Sequence, residues 1–213
     1  MSELYDAILH GKAPAAVAAV RTALEAGVDP MELLQTQMVP AMDEVGRCFE
    51  CGDYFVPELL LAGRAMKAAL EPIRPKLAAG AVEPAGRVVI GTVAGDLHDI
   101  GKNIVVSMLE GAGFAVTDLG VDVSAQKFVN AVRAKQPDLL CLSALLTVTM
   151  PAMKTTLDAL AAAGVREQVR VMVGGAPVNQ TYADQIGADG YSDNAAAAVA
   201  VARKLMTGRQ ATQ

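Results

Sequence analysis

The stretch RVVIGTVAGDLHDIGKNIVVSML, residues 87–109, decides the fold of the second half of the chain. An apolar run over Val88–Thr92 precedes a short polar loop, and the apolar periodic segment Ile104–Leu109 follows it, which is the order strand, loop, helix. The loop carries His98 two residues after a carboxylate. This placement suits an imidazole that presents one ring nitrogen outward while an acceptor holds the other nitrogen.

His98 is the candidate metal ligand of the chain. The sequence has 2 histidines, and the other one is His10, so a metal site built from several imidazoles is excluded. A metal at His98 is therefore expected to arrive inside a cofactor that supplies most of its own ligands. Taken alone, a histidine on a loop is more often an ordinary polar residue, and Lys102 and Asn103 after it are expected to be solvated or capping residues.

After residue 86 the apolar pattern alternates between strands and helices. The predicted strands are Val88–Thr92, Ala115–Leu119, Leu139–Ser143, Arg170–Val173 and Gly190–Tyr191. The predicted helices are 102–112, 125–135, 151–163, 179–186 and 195–206. This alternation predicts an α/β doubly wound, five-stranded parallel sheet of the Rossmann or flavodoxin type. Ligands of such sheets bind beyond the carboxyl ends of the strands, so His98 and the loop after Ser143 are expected to share a site.

The first part of the chain is rich in Ala, Leu and Met at helical spacing and predicts an all-α four-helix bundle. The predicted helices are 2–9, 15–26, 30–49 and 56–70, with a kink at Pro40 in the third. Pro and Gly crowd the stretch 72–86 and predict a linker. We therefore expect two domains, a helical bundle at 1–80 and an α/β domain at 81–213.

Composition and charge narrow the class of partner. The net charge is -5, and no long Lys/Arg cluster occurs, which argues against nucleic acid and against an anionic membrane surface. The N-terminus lacks the features of a signal peptide, and no apolar run reaches about 18 residues. We expect a cytoplasmic protein whose partners are proteins and a small molecule.

The cysteine pattern does not predict a disulfide framework. The chain has 3 cysteines, an odd number, and Cys48 and Cys51 form a single C-x-x-C. This motif lacks the second pair that a zinc site needs, and it does not follow a strand as a redox motif of the thioredoxin type would. Thiols packed among helices are the expected explanation.

The loop residues exclude some common ligands of doubly wound sheets. Neither G-x-G-x-x-G nor G-x-x-x-x-G-K-[ST] occurs, so dinucleotides and nucleoside triphosphates have little support. A phospho-acceptor site of the response-regulator type would need clustered carboxylates, which Asp96, Asp99 and Asp118 could supply. The histidine between the first two makes that interpretation a poor fit.

Three motifs on successive strand ends resemble a known family. Asp96-x-His98-x-x-Gly101, Ser143-x-Leu145 and Gly174-Gly175 look like the cobalamin-binding domain of methionine synthase and of the corrinoid proteins of methyltransferase systems. The helical part also resembles the cap domain of that family, in Phe55-Val56-Pro57-Glu58 and Ala65-Met66-Lys67. The resemblance spans nearly the whole chain.

The resemblance implies a role for each motif residue. His98 would replace the dimethylbenzimidazole base as the lower ligand of cobalt. Asp96 would accept a hydrogen bond from the other imidazole nitrogen of His98. Thr149 stands where methionine synthase has a serine whose hydroxyl extends this series of hydrogen bonds from the aspartate. Residues implied to contact the cofactor or its displaced nucleotide tail are Gly95, Leu97, Asp99, Ile100, Gly101, Ser143, Leu145, Thr147, Gly174, Gly175 and Tyr191. Phe55 is implied to cover the upper face of the cofactor, with Met66 and Val56 behind it.

The function implied is that of a corrinoid methyl carrier. The cofactor would be cobalamin, cycling between cob(I)alamin and methylcobalamin, and the partners would be a donor methyltransferase, an acceptor methyltransferase and a reductive activase. The chain would not be catalytic alone. Two alternatives stay open at this point, a cobalamin-dependent sensor and the cobalamin subunit of a carbon-skeleton mutase.

Overall fold

The structure, a computed structural model, describes residues 2–73 and 84–210. These residues form two compact units. One unit holds the chain up to Pro84 together with Ser107–Gly113, and the other holds Ala85–Val106 and the chain from Phe114 onward. The predicted linker and domain boundary fall largely on residues 74–83, outside the described residues.

The first unit is helical, as the sequence predicted. Its helices are α1 (Glu3–Leu9), α2 (Ala13–Glu25), α3 (Pro30–Leu33), α4 (Val39–Glu50) and α5 (Val56–Leu70), and a π-helical turn at Leu34–Met38 joins α3 to α4. The sequence predicted one long third helix with a kink at Pro40. The structure instead places the irregularity in the π turn, so that Pro40 lies in the first turn of α4, where no N–H is required.

Local capping and a buried apolar face explain where these helices begin and how they pack. The Ser2 hydroxyl accepts a hydrogen bond from the Tyr5 amide, and a carboxylate oxygen of Asp29 accepts from the amides of Met31 and Glu32. These caps satisfy amides that have no partner within a helix. The largest fully buried side chains of the unit are Ile8, Leu33, Met38, Met42, Leu59, Met66 and Ile73.

The second unit contains a parallel sheet with the order β2-β1-β3-β4-β5. The strands are β1 (Arg87–Thr92), β2 (Ala115–Asp118), β3 (Leu139–Ser143), β4 (Arg170–Gly174) and β5 (Gly190–Ser192). The helices after β1 are α6 (Ile100–Gly111), α7 (Ala125–Lys135), α8 (Pro151–Ala162), α9 (Gln180–Ile186) and α10 (Ala195–Gln210), with a 3₁₀ turn at Arg166–Gln168. The residues of α6 from Ser107 onward belong to the first unit. The predicted doubly wound sheet is confirmed.

The strand order places a crevice between β1 and β3. The connection from β1 leads to β2 on one side, and β3 lies on the other side, so the loops after β1 and β3 diverge at the carboxyl end of the sheet. The register aligns the last residues of four strands in one row across the sheet, Thr92, Ser143, Gly174 and Ser192. All four are small, which leaves this edge of the sheet without bulky side chains.

A tight core below this edge holds the strands in position. Phe128 of α7 is fully buried, and a Cβ added at Gly91 would lie 2.9 Å from Cε1 of its ring. Gly91 is therefore required in β1 because the aromatic ring occupies the space of a side chain. Among the helices that the structure describes, none is both long and apolar enough to span a membrane.

Candidate functional site

The carboxylate of Asp96 is the centre of a polar network at the crevice. Its Oδ1 accepts hydrogen bonds from the His98 ring Nδ1 at 2.7 Å and from the His98 amide at 3.1 Å. Its Oδ2 accepts from the Leu145 amide at 2.7 Å, the Leu146 amide at 3.3 Å and the Thr149 hydroxyl at 2.7 Å. The loops after β1 and β3 are thus joined through one buried side chain, which is 0% exposed.

These five donors keep Asp96 ionised. Burial by itself would raise the pKa of Asp96, because it disfavours the charged form. Hydrogen bonds from the Thr149 hydroxyl, the Leu145 amide and the His98 ring and amide outweigh burial and hold this pKa well below its usual range. Asp96 therefore acts as an acceptor only, and each of its bonds is charge-assisted.

The ionised partner determines which nitrogen of His98 carries the proton. Because the Asp96 carboxylate can only accept, Nδ1 carries the hydrogen and Nε2 of the neutral ring keeps its lone pair. The side chain of His98 is 50% exposed, whereas that of Asp96 is 0% exposed. The buried Asp96 therefore fixes the orientation of the ring and leaves Nε2 available as a ligand. Metal-binding histidines commonly show this arrangement.

The loop that carries His98 is held by two further residues that sequence reasoning missed. The buried Thr92 hydroxyl donates to the His98 carbonyl at 2.9 Å. Asp122, after β2, accepts from the Gly95 amide at 2.7 Å through Oδ1 and donates its own amide to the Asp96 carbonyl at 3.0 Å. Asp122 has a φ of 50°, which non-glycine residues seldom adopt. Nothing in the local sequence indicated this contact.

Lys102 is buried, contrary to the expectation from the sequence. The sequence suggested a solvated or capping residue, but its side chain is 1% exposed, and its ammonium forms an ion pair with Asp118 at the end of β2 and donates to the Asn103 side chain at 2.8 Å. The sequence contained an indication of this burial. Val105 and Leu109 follow Lys102 by three and by seven residues, so the three lie on the same helical face. The ion pair fastens the start of α6 to the neighbouring strand.

Exposed apolar side chains cluster in sequence around the His98–Asp96 network. They are Leu97 (71% exposed), Ile100 (70%), Leu145 (43%), Leu146 (41%) and Val148 (80%). Water solvates such side chains poorly, and several of them on two adjoining loops are characteristic of a surface that a ligand or a partner covers. The imidazole nitrogen therefore lies on loops whose exposed side chains are largely apolar.

The predicted glycines divide into two groups by what surrounds them. A Cβ at Gly175, whose φ is 131°, would lie 1.8 Å from the Ala144 carbonyl oxygen, so this residue must be glycine for the fold. Gly95 requires its φ of 81°, and a Cβ at Gly174 would lie 3.1 Å from the Ser192 carbonyl oxygen. At Gly101 a Cβ would meet no described atom within 4 Å, so the fold itself does not require glycine there.

The remaining sheet-edge candidates lie in different surroundings. Ser143 is half-buried beside Gly174 in the row of strand ends, and Thr147 is exposed on the loop after β3. Tyr191 precedes Ser192 and therefore points to the opposite face of the sheet, where it packs against the apolar core of the unit. Ser192, which is 9% exposed, is the β5 residue on the face of Ser143.

The three residues predicted on the helical unit also differ in exposure. Phe55 is 65% exposed and Val56 is 42% exposed. Met66 is 1% exposed and lies in the interior of that unit. Burial explains Met66 as a core residue of that unit, whereas the side chains of Phe55 and Val56 are exposed.

Removing the Thr149 hydroxyl is expected to destabilise the protein. We expect Thr149→Val to lower the free energy of unfolding by about 1–3 kcal/mol, because a hydrogen bond to a buried charge is lost at nearly constant volume. Thr149→Ser keeps the hydroxyl and is expected to retain most of that energy. Urea unfolding of the three proteins measures the difference, and equal stability of the Val and Ser variants would contradict a role for the hydroxyl.

Two protein-family models match the chain. Each is described as a B12 binding domain, one matching residues 2–73 and the other residues 86–200. The chain is 42% identical over 210 residues to dimethylamine corrinoid protein 2 of Methanosarcina acetivorans, covering 98% of this chain and 97% of the relative. It is 43% identical over 203 residues to trimethylamine corrinoid protein 1 of the same species, covering 94% of each.

Solved structures with the same fold are similar over nearly the whole chain. A cobalamin-binding protein from Desulfitobacterium hafniense superposes with a TM-score of 0.79 at 36% identity, covering 95% of this chain and 96% of that one. A chain of the methanol:cobalamin methyltransferase complex MtaBC from Methanosarcina barkeri superposes with a TM-score of 0.85 at 34% identity, covering 97% of this chain and 79% of that one. The similarity includes both units.

Proposed function

Since this chain belongs to the family of B12-binding corrinoid proteins, we propose that it carries a methyl group on cobalamin from one methyltransferase to another. The observation that carries the proposal is the His98 imidazole, fixed through Nδ1 by the buried Asp96 while Nε2 stays available. The full-length relatives named as methylamine corrinoid proteins support it.

The residues present fit a cobalt corrinoid. Among the described residues no group of three or more His, Cys, Asp or Glu side chains could hold a metal ion. A single imidazole suits a macrocycle that brings its own equatorial ligands, and the exposed apolar side chains on the two loops suit the apolar face of a flat ring. When bound, cobalamin supplies a cobalt centre that can accept and release a methyl group.

The protein's own residues would tune and protect this centre. Asp96 holds His98 in one tautomer and one orientation, and its negative charge makes the imidazole a stronger donor. Hydrogen bonds from the Thr149 hydroxyl and from the amides of Leu145 and Leu146 keep Asp96 ionised. We propose that Phe55 and Val56 shield the methyl-carrying face of the cofactor.

We infer that the methyl donor is a methylamine. The dimethylamine and trimethylamine corrinoid proteins are 42% and 43% identical to this chain, whereas the methanol complex component is 34% identical. The partners would be a methylamine methyltransferase on the donor side, a second methyltransferase on the acceptor side, and a reductase that restores the low-valent metal.

Three free thiols are consistent with work in a reducing compartment such as the cytoplasm.

Methyl transfer in a reconstituted system tests the proposed function. The purified chain is loaded with hydroxocobalamin, reduced, and mixed with candidate methyltransferases and either mono-, di- or trimethylamine or methanol. We expect the cofactor absorption spectrum to report methylation with a methylamine as the donor, and methyl transfer to a thiol or a folate when an acceptor enzyme is added. Tight cobalamin binding without methyl exchange would favour a sensor, and activity confined to adenosylcobalamin would favour a mutase subunit.

Isotope labelling tests the binding mode independently of any partner. We propose that the nucleotide base of cobalamin leaves cobalt and that His98 replaces it. In the Co(II) state, the electron paramagnetic resonance spectrum shows whether a nitrogen ligand has spin 1 or spin one-half. Protein grown with ¹⁵N-histidine and loaded with unlabelled cobalamin is expected to give the doublet splitting of ¹⁵N. A triplet would mean that the base is still bound to cobalt, which would contradict the assignment.

Gly101 offers a substitution that separates folding from cofactor binding. Because no described atom lies within 4 Å of a Cβ added there, Gly101→Ala is expected to keep or raise the free energy of unfolding of the cofactor-free protein by up to about 1 kcal/mol. If Gly101 contacts the cofactor, the same methyl group weakens cobalamin binding. Calorimetric titration with cobalamin measures this, and unchanged affinity would remove Gly101 from the site.

A further inference from the structure

The end of helix α4 carries two cysteines that the proposed function does not use. Cys48 is 8% exposed, and Cys51, the residue that follows the last residue of the helix as its C-cap, is exposed. Residues three apart in a helix have Cα atoms about 5 Å from each other, which lies within the range of about 4.4–6.8 Å found in disulfides. The pair therefore combines one accessible and one protected sulfur, and the Cα atoms are spaced as they are in disulfides.

A single arginine contacts both sulfurs. Nη1 of Arg47 lies 3.8 Å from Sγ of Cys51, and Nη2 lies 3.8 Å from Sγ of Cys48. Glu44 holds the guanidinium in place, with its Oε2 2.8 Å from Nε and its Oε1 2.6 Å from Nη2. The same Oε1 is the acceptor for the Cys48 thiol at 3.7 Å. The guanidinium of Arg47 thus lies next to both sulfurs, and the Glu44 carboxylate contacts the Cys48 thiol.

The turn after the helix gives the pair freedom to move closer. Cys51 is followed by Gly52 at a φ of 80°, and a Cβ at Gly52 would meet no described atom within 4 Å. Hydrogen bonds at a helix end are the easiest to open, so Cys51 can shift without disturbing the core. Cys141 is the opposite case, because it is buried in β3 and burial raises the pKa of its thiol.

We propose that Cys48 and Cys51 form a reversible dithiol–disulfide pair that reacts with small-molecule disulfides such as glutathione disulfide. The Cys51 thiolate attacks one sulfur of glutathione disulfide, that S–S bond breaks, and one glutathione leaves as a thiol. The Cys48 thiolate then attacks Sγ of Cys51 in the mixed disulfide, and the second glutathione leaves. Two electrons pass to the small disulfide, and the two cysteine protons end on two glutathione thiols.

The second step is expected to be the slower one near neutral pH. Burial and the neighbouring Glu44 raise the pKa of Cys48, while Arg47 opposes them. Asp53 also raises the pKa of Cys48. The charge of Cys48 contributes in turn to raising the pKa of Tyr5 and of Tyr54. Ring closure therefore accelerates as the pH rises from neutral towards the ordinary thiol range, because the thiolate is the attacking form. This inference does not depend on the proposed methyl carrier function.

Mass spectrometry of the full-length chain, kept free of corrinoid, tests the proposal. The reduced protein is incubated with glutathione disulfide, quenched with an alkylating reagent and digested. We expect a product lighter by two hydrogens whose peptide links Cys48 to Cys51, with Cys141 still a free thiol, and recovery of both thiols on adding dithiothreitol. In Cys51→Ser, whose side chain is exposed, we expect no linked product.

Two outcomes would overturn the proposal. One is a mixed disulfide that persists on Cys51 of the wild-type chain while Cys48 remains available for alkylation after denaturation. The other is no change in mass at a glutathione disulfide concentration that oxidises a small dithiol. Circular dichroism of the wild type and of Cys51→Ser checks that both are folded, so neither outcome can be assigned to loss of structure.

Discussion

His98→Ala, loaded with methylcobalamin, is expected to show an altered absorption spectrum and a methyl-transfer rate that is lower by about 100-fold or more. Loss of a group that merely supports a metal ligand commonly costs about 10–100-fold in metal affinity or activity. Removing the ligand itself should reach or exceed the upper end of that range. The structure makes this result specific, since His98 is the histidine that Asp96 orients, with its Nε2 left available.

The matched control for this experiment is His10→Ala. His10 is the other histidine of the chain, and its ring Nδ1 lies 3.3 Å from the Tyr54 hydroxyl in the helical unit. We expect the spectrum and the methyl-transfer rate of this variant to match those of the wild type. An unaltered absorption spectrum in His98→Ala would remove the assignment of His98 as the cobalt ligand.

Asp96→Asn is expected to lower the free energy of unfolding of the cofactor-free protein by about 2–4 kcal/mol. The carboxylate accepts from five donors, and an amide replaces one of its acceptor oxygens by a donor. In either orientation the amide nitrogen faces an N–H group, the His98 amide on one side or the Leu145 amide on the other. Leaving buried donors unsatisfied costs about 1–3 kcal/mol each, with more for charged partners.

The same substitution should change how stability depends on pH. The pKa of Asp96 is lowered in the folded protein, so its contribution is fully present above the unfolded-state value of about 3.9 and declines as the pH falls below it. The difference in unfolding free energy between wild type and Asp96→Asn is therefore expected to be constant from about pH 5 to 7 and to shrink below about pH 4. Urea unfolding at each pH measures it.

Asp158→Asn is the control for both measurements. Asp158 is a carboxylate on α8 whose side chain is 63% exposed in an ion pair with Lys154. Exposed pairs contribute little, so this variant should remain within about 0.5 kcal/mol of the wild type. A similar loss in Asp96→Asn and Asp158→Asn, or a wild-type difference that grows in acid, would contradict the network described for Asp96.

The regular architecture could be predicted because it depends on local patterns, and the grouping of Asp96, His98 and Thr149 could be expected from the resemblance to the cobalamin-binding family. The alternation of apolar strands and amphipathic helices indicates a parallel sheet whatever the details of packing. In such a sheet the carboxyl ends of the strands lie on one rim, so His98 and the loop after Ser143 could be expected to share a site. Thr149 lies 53 residues from Asp96 in sequence, and it was expected there only from the resemblance to the cobalamin-binding family. The motif D-x-H-x-x-G then identified the ring that the carboxylate would hold.

Other features escaped the sequence because they depend on contacts between distant segments. The two-bond contact of Asp122 with Gly95 and Asp96 has no local signature, and it requires the loop after β2 to pass beside the loop after β1. The short strand β5 has 3 residues, which is too few to show an alternating pattern. Which of Tyr191 and Ser192 lies on the face of Ser143 was therefore decided by the register with β4.

Periodicity along the chain was thus sufficient for most of the elements and their succession along the chain, and the motif around His98 indicated the imidazole. The burial of Lys102 against Asp118, the interior position of Met66 and the exposure of Cys51 beside the protected Cys48 were established only when the elements packed together. The physical reason is that a hydrophobic pattern reports which face of an element is buried on average. Whether one particular side chain on that face is covered, paired or left open depends on the shape of its neighbours.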